Sequence, residues 1–400
     1  MSGWPIVRLG DFIEVKGGKR LPKGHVLQTN DNGAPYIRIV DLDAGNVVEA
    51  NLAFVPEETQ PHIERYRVST GDVFISIVGT VGLVALIPRS LDRAFLTENA
   101  ARLVASDRRL SSSYLRYVLA SDFGQNSIRE QTVGSTQPKL ALGRIKDIAI
   151  PLPPFDVQTS IAEVLGALDD KIAANTKVVE RTADLATSTF LWAQSLPGSR
   201  LPLAGLVTTQ YGFTTSAHSE PGPKFLRVTD INKYPWITWD STPNCTISDA
   251  DLAKYRVQEG DILVARMADP GKSAFIDAGD PEAVFASYLV RLKATHPDDA
   301  LFIYYFLRSD EYRNYSDGAM QGSVQMNMNA KLIIATDIFL PTRESISLFN
   351  KRITPLRRVI QSVLKENIQL AATRDALLPQ LMSGKLRVKD AERVLEDAGV

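Results

Sequence analysis

Four basic side chains crowd one short stretch near the amino terminus. Lys16, Lys19, Arg20 and Lys23 lie within Lys16-Gly17-Gly18-Lys19-Arg20-Leu21-Pro22-Lys23-Gly24-His25, which holds no acid. Glycines let a backbone approach an anion, so this composition suits the phosphates of a nucleic acid. A solvated turn of the same length shares that composition.

Catalytic chemistry finds no equivalent grouping. Pro151-Leu152-Pro153-Pro154-Phe155 is similar to the Asn/Asp-Pro-Pro-Tyr/Phe loop that holds a flipped base in amino-methyltransferases, but Leu152 stands at the polar position. The stretch reads better as a proline stop before a helix. Asp269-Pro270-Gly271-Lys272-Ser273 fails as a phosphate-binding loop, because Arg266 stands where its first glycine belongs. His25, His62, His218 and His296 have no ligand spacing, so no metal site is expected. No nucleophile–base pattern stands out, and no active site is legible.

Composition bounds the rest. Four hundred residues at 44% apolar content suffice for two or three domains with real cores, and the net charge of −1 offers no global attraction to DNA. The single Cys245 fits a reducing cytosol. The uncharged run Val73 to Pro88 is short for a membrane span and contains Gly79 and Gly82. It predicts two buried strands and a tight turn, in a soluble cytoplasmic chain with no membrane contact.

The chain also repeats itself. Tyr36-Ile37-Arg38 returns as Phe225-Leu226-Arg227, Gly71-Asp72 as Gly260-Asp261, and Arg102-Leu103 as Arg291-Leu292, each pair 189 positions apart. That period is far longer than a solenoid repeat, so the chain holds two copies of one domain. Framework positions persist while polar loop positions diverge. Gln210-Tyr211-Gly212-Phe213-Thr214-Thr215-Ser216-Ala217-His218 stands opposite the basic loop. Ser76 and Thr80 face Ala265-Arg266 and Asp269, with Lys272 beyond; Ser135, Thr136, Gln137 and Lys139 face Ser323, Val324, Gln325 and Asn327. Arg, Gln and Asn can contact base edges bidentately. The divergent residues, with Arg38 and Arg227, form the candidate DNA-contacting set; loop drift after duplication would also produce the contrast.

Elements must position these residues. Each half opens with short β-branched runs, among them 36–40, 73–78, 81–87 and 99–104, and continues with a helix at 112–121 or 299–309. After the proline stop comes a heptad seam: Ile161, Leu165, Leu168, Ile172, Asn175 and Val179 in the first copy. Phe349, Ile353, Leu356, Ile360, Val363, Asn367, Leu370, Leu377 and Leu381 form it in the second. Two helices of ~35–40 residues, paired antiparallel along these seams, would make a rod of roughly 50–60 Å. Each helix packing on its own domain is the alternative.

Three motifs now carry a resemblance: Trp4 with Val7-Arg8-Leu9-Gly10-Asp11-Phe12; Ile150-Pro151-Leu152-Pro153-Pro154 with Gln158 and Leu168-Asp169-Asp170-Lys171-Ile172; and Arg374-Asp375-Ala376-Leu377-Leu378-Pro379-Gln380-Leu381. Over residues 4–388 the chain resembles the specificity subunit of Type I restriction–modification enzymes. The second helix start departs, since Pro341-Thr342-Arg343-Glu344-Ser345 lacks the double proline and the glutamine.

The resemblance implies an α/β (α+β) chain with two target-recognition domains, 1–153 and 199–341, spacer helices 154–198 and 342–384, and a tail 385–400. It implies a non-catalytic reader of a bipartite, asymmetric site in double-stranded DNA, docking two methyltransferase subunits and a restriction (motor) subunit. S-adenosylmethionine, ATP and Mg would reside on those partners, with no cofactor in this chain. Two other classes stay open. A coiled-coil scaffold without DNA specificity predicts no salt-dependent DNA affinity. A self-sufficient DNA methyltransferase or nuclease predicts cofactor binding by the isolated chain.

Overall fold

The computed structural model describes residues 3–43, 45–134, 137–320 and 327–397. Two compact units emerge, one of residues 1–173 with 369–400 and one of residues 174–368. Both boundaries fall inside long helices, Phe155–Ala193 and Arg343–Ser383.

The first unit is built on a four-stranded antiparallel sheet in the order Ile13–Gly17, Ala100–Ala105, Val73–Ser76, Val84–Leu86. Val73, Ile75, Ala101 and Leu103 point to one core, with Leu115, Leu165 and Leu377. Phe74, Ala85 and Ala100 point to another, with Ile37 and Leu96. A sheet covered on both faces needs apolar residues at successive positions, which explains the uncharged run 73–88. Gly79 and Gly82, at φ 78° and 91°, turn it into a hairpin as expected. A smaller sheet joins Ala53–Phe54, Pro35–Ile37 and Phe95–Leu96, the last two parallel. Ile6–Arg8 pairs with Ala149–Pro151, so the proline stop is also a strand, a pairing that local pattern did not reveal. The expected helix occupies Ser112–Ala120, and a second, unanticipated one follows at Asp122–Gln131.

The second unit repeats the plan. Its sheet runs Val207–Tyr211, Leu289–Ala294, Ile262–Ala265, Ser273–Phe275, all antiparallel. Gly198–Pro202 pairs with Asp337–Pro341, and Lys224–Leu226 lies parallel to Ala283–Phe285. Helices Ala300–Leu307 and Asp310–Met320 complete it.

The repeated sequence pairs explain themselves in these sheets. The Arg102 Nη1 donates to Asp72 Oδ2 at 2.8 Å, and Arg291 Nη1 to Asp261 Oδ2 at 3.2 Å. Each carboxylate also accepts a backbone N–H, from Ser69 or Gln258, and so closes the turn before the strand.

The two helices start differently, as their sequences suggest. Gln158 is fully buried; its Oε1 accepts from Ser111 N, and its Nε2 donates to Arg109 O and Pro153 O. In the second helix Thr342 Oγ1 accepts from Ser345 N, and Arg343 clamps Asp299 through two nitrogens at 2.5 and 2.9 Å. The open question at Pro341–Ser345 is answered by a different set of bonds for the same task.

The seams pair antiparallel. Ile161, Leu165 and Leu168 share a core with Leu370, Leu377 and Leu381 in the first unit. In the second, Ala186 and Phe190 share one with Phe349 and Ile353, while Leu356 packs at its margin. Within the first unit Asp169 meets Arg374; within the second, Thr176 meets Asn367. Asn175, Val179 and Ile360 are buried; Ile172, Val363 and Asn367 are half-buried. Gly384 (φ 71°) ends the second helix under the Trp4 ring. Beyond it Val388–Asp397 is helical and inserts Ala391 and Leu395 into the first unit's core.

Candidate nucleic-acid interface

In an antiparallel sheet the end of one strand adjoins the start of the next. Residues 17, 100, 76 and 84 therefore mark one end of the first sheet, and 211, 289, 265 and 273 the same end of the second. The divergent loops leave from these ends. In the first unit, loop 18–25 lies against turn 97–99: Gly18 N donates to Ala100 O and Lys19 N to Leu96 O. A side chain at Gly18 would strike the Thr97 carbonyl, and one at Gly212 would strike that of Ala286. Only glycine allows so close a crossing.

Hairpin 77–83 is tied to turn 97–99 by Ile77 N donating to Asn99 O, and to loop 133–139 by Leu140 N donating to Ile77 O. The second unit reproduces both bonds, with Arg266 N to Tyr288 O and Met328 N to Arg266 O. The contrasted loops are therefore equivalent in three dimensions, as their spacing in the chain suggests.

Several candidate side chains are placed at these ends with their heads in solvent. Lys19, Arg20, Lys23, Thr80, Gln137, Lys139, Thr214 and Ser216 are exposed. Thr215 is half-buried, its hydroxyl 3.5 Å from Thr246 O; Lys272 is half-buried in its hairpin. Lys16 points from its strand toward Glu14, at 2.7 Å. In the second unit Arg266 stacks over the Tyr211 ring, 5.1 Å from its centre, and its Nη2 donates to Asn327 Oδ1 at 3.3 Å. Tyr211 Oη accepts from Ala330 N, fixing the ring beneath the guanidinium. Ser135, Thr136, Ser323 and Gln325 lie outside the described residues.

Three candidates belong to the framework instead. Ser76 is fully buried: its hydroxyl donates to Thr80 O and accepts from Leu83 N, which closes the hairpin. Arg38 turns its Nε and Nη2 onto buried Asp41 at 3.0 and 2.7 Å. Arg227 does the same to Asp230 at 3.0 and 2.9 Å. The fork that would read a guanine is already occupied, identically in both copies.

The geometry also adds residues. In the first unit a cavity of about 400 Å³ opens beside loop 18–25, lined by Arg20, Tyr36, Arg38, Glu98 and Asn99 with an apolar wall of Leu21, Leu27 and Val40. Arg20 Nε donates to Glu98 Oε1 at 2.6 Å, and Tyr36 Oη donates to Lys19 O at 2.8 Å. Burial pushes the Glu98 carboxyl up, but donors on Arg20 and Thr97 outweigh it and leave it below its usual value. Burial likewise pushes the Tyr36 hydroxyl up to about 12. The signal for this site was present: Thr97-Glu98-Asn99 against Ala286-Ser287-Tyr288, a fourth divergent pair, at spacing 189.

Among the described residues, no three His, Cys, Asp or Glu side chains are grouped to hold a metal, and no helix is long and apolar enough to cross a membrane.

Residues 1–181 match the family model described as Type I restriction modification DNA specificity domain. The MjaVIII type I restriction enzyme specificity subunit of Methanocaldococcus jannaschii is 22% identical, over 97% of this chain and 94% of its own. The EcoBI specificity subunit of Escherichia coli is 28% identical over 37% of this chain and 32% of its own. The crystal structure of a type I restriction–modification S subunit from M. genitalium superposes with a TM-score of 0.56, at 14% identity over 95% of this chain and 96% of that one.

Proposed function

The chain belongs to the specificity subunits of type I restriction–modification enzymes, and from that premise we propose that its two sheets read the two halves of a bipartite, asymmetric site in double-stranded DNA. It is a non-catalytic subunit. The observation that carries the reading is the pairing of one framework with two sets of side chains at the same sheet end. Identical backbone bonds hold turns 97–99 and 286–288, yet the side chains they present differ completely. A protein that reads two unlike sequences needs that arrangement, since base edges are distinguished by side-chain donors and acceptors. Lys19 and Lys23 hold phosphates and set register without sequence information.

In this proposal residues 1–153 and 199–341 are the target-recognition domains, and 154–198 and 342–384 the spacer helices. Two methyltransferase subunits dock on the chain and supply S-adenosylmethionine chemistry; a restriction subunit supplies ATP- and Mg-dependent cleavage. Co-expression with the methyltransferase, followed by genome-wide mapping of methylated bases, tests the function. A bipartite asymmetric motif with a fixed gap is expected. A continuous palindrome, or no motif beside an active methyltransferase, overturns it.

A further inference from the structure

We propose that Asn99, backed by Glu98, is a specificity-determining residue of the first recognition unit, reading a base edge that presents an exocyclic amine, adenine N6 or cytosine N4. The inference rests on the function proposed above and names where one base of the first half-site is read.

Asn99 sits in the turn between Phe95–Leu96 and Ala100–Ala105, at the sheet end where the divergent loops gather. Its backbone is framework: the carbonyl accepts from Ile77 N at 2.8 Å, as that of Tyr288 accepts from Arg266 N at 2.9 Å. Its side chain is not framework. The amide is half-buried in the cavity wall and makes no hydrogen bond to any described residue. Its amide atoms are not sealed from solvent, so a base edge can take over the bonds that water makes to them in the free protein. Fixed backbone and free side chain together describe a residue positioned for something outside the chain.

The neighbouring carboxylate narrows the ligand. Glu98 Oε1 is taken by Arg20, whereas Oε2 has only long contacts, 3.2 Å from Thr97 Oγ1 and 3.3 Å from Tyr36 Oη. A carboxylate with one oxygen still available accepts an N–H; it repels the O6 and N7 of guanine and the O4 of thymine. An adjacent amide, offering Oδ1 and Nδ2, complements adenine N6 and N7. Adenine and cytosine are the two bases with an amine in the major groove. The cavity's apolar wall and its few converging polar groups also fit a base edge better than a phosphate, because Glu98 offsets the charge of Arg20 at its mouth.

The second unit sharpens the contrast. At the equivalent positions it has Ser287 and Tyr288, with the Tyr288 ring 52% exposed. No carboxylate stands there, so this demand for an amine is confined to the first half-site.

The test uses the complex of the full chain with its methyltransferase subunits and compares wild type with Asn99→Ala and Glu98→Gln by methylation mapping. Asn99→Ala is expected to relax one base position in one half-site, now fixed as adenine or cytosine, and to leave the other half-site unchanged. Methylation of the original site should fall at least about fivefold, the lower end for loss of one bidentate contact. Glu98→Gln, which keeps the shape, should weaken discrimination at that same position or its neighbour. An unchanged motif in Asn99→Ala overturns the proposal, and so does a loss spread evenly over both half-sites. Thermal unfolding is the control for folding, because an amide bonded to nothing within the chain can be removed without moving the transition. A wild-type complex with no bipartite motif would fail the proposed function itself, whereas a wild-type motif that survives Asn99→Ala fails only this assignment.

Discussion

Asp169 and Arg374 are 205 positions apart in the chain and 2.7 Å apart in space. They come from the two motifs on which the family resemblance rests most specifically, and the structure makes them one ion pair. Asp169 also accepts from Arg116 at 2.8 Å and from the Tyr117 hydroxyl at 2.7 Å. Two cations and a phenol thus converge on one buried carboxylate that ties both long helices to the Ser112–Ala120 helix. Replacing Asp169 by Asn would take the carboxylate from half-buried Arg116 and leave Arg374 with only the exposed Asp375. Breaking such a pair costs about 3–5 kcal/mol. Denaturant unfolding of Asp169→Asn should show that loss in the transition of the first unit, and the Asp169→Asn/Arg374→Met double variant should lose less than the sum of the singles.

Arg102–Asp72 and Arg291–Asp261 are expected to behave as framework. Each pair is largely buried and closes the turn ahead of the same strand. Arg102→Met and Arg291→Met should each cost ~2–3 kcal/mol in stability, leaving the methylation motif untouched. A changed motif without lost stability would move these residues from framework to reading.

Lys19 and Lys23 are exposed on the loop that leaves the first sheet. If they hold phosphates, Lys19→Ala/Lys23→Ala should weaken binding of the assembled complex to every sequence alike. The slope of log affinity against log salt should fall by about 2, close to 0.9 per phosphate contact. Filter binding over a salt series on cognate and unrelated duplexes reads both quantities.

Asp280 supplies a pH dependence. Burial pushes its carboxyl from the usual 3.8 up to about 6, despite hydrogen bonds from Asp277 N and Trp239 Nε1. Between those values the native state holds a proton that the unfolded chain releases. Its contribution is therefore fully present below about 3.8 and is lost as pH rises through 6. Asp280→Asn abolishes that titration. The stability difference between variant and wild type should shift in the variant's favour by on the order of 1 kcal/mol from pH 4.5 to 7.5, after discount for partial exposure. A difference independent of pH would contradict it.

Much of this architecture was legible in the chain. The helix seams were, because a heptad stripe is a local pattern, and the apolar residues at Leu165, Leu168, Ile353 and Leu370 lie in cores as their spacing requires. The duplication was, because turn chemistry at Gly71-Asp72 and Gly260-Asp261 repeats with its distant arginine. What local pattern conceals is long-range pairing. Ile6–Arg8 meets Ala149–Pro151 across more than a hundred residues, and nothing in either segment names the other. The same blindness affected the candidate contacts. Arg38 and Arg227 have the right chemistry for a base edge, but three residues on an aspartate takes the fork. Ser76 looks like a polar loop residue, yet its hydroxyl is consumed by its own hairpin. Asn99 stands out only in the fold, because its role depends on what the folded chain leaves unbonded.

The division of the long helices has a consequence for how the molecule is made. The first unit needs residues 369–400, whose Leu370, Leu377, Leu381 and Leu395 belong to its core. The second is one continuous stretch, 174–368. A ribosome therefore delivers all of the second unit before it delivers the last piece of the first. The unit whose sequence begins the chain is the one that waits, and a nonsense codon just after residue 368 would strip Leu370, Leu377, Leu381 and Leu395 from its core while leaving residues 174–368 whole.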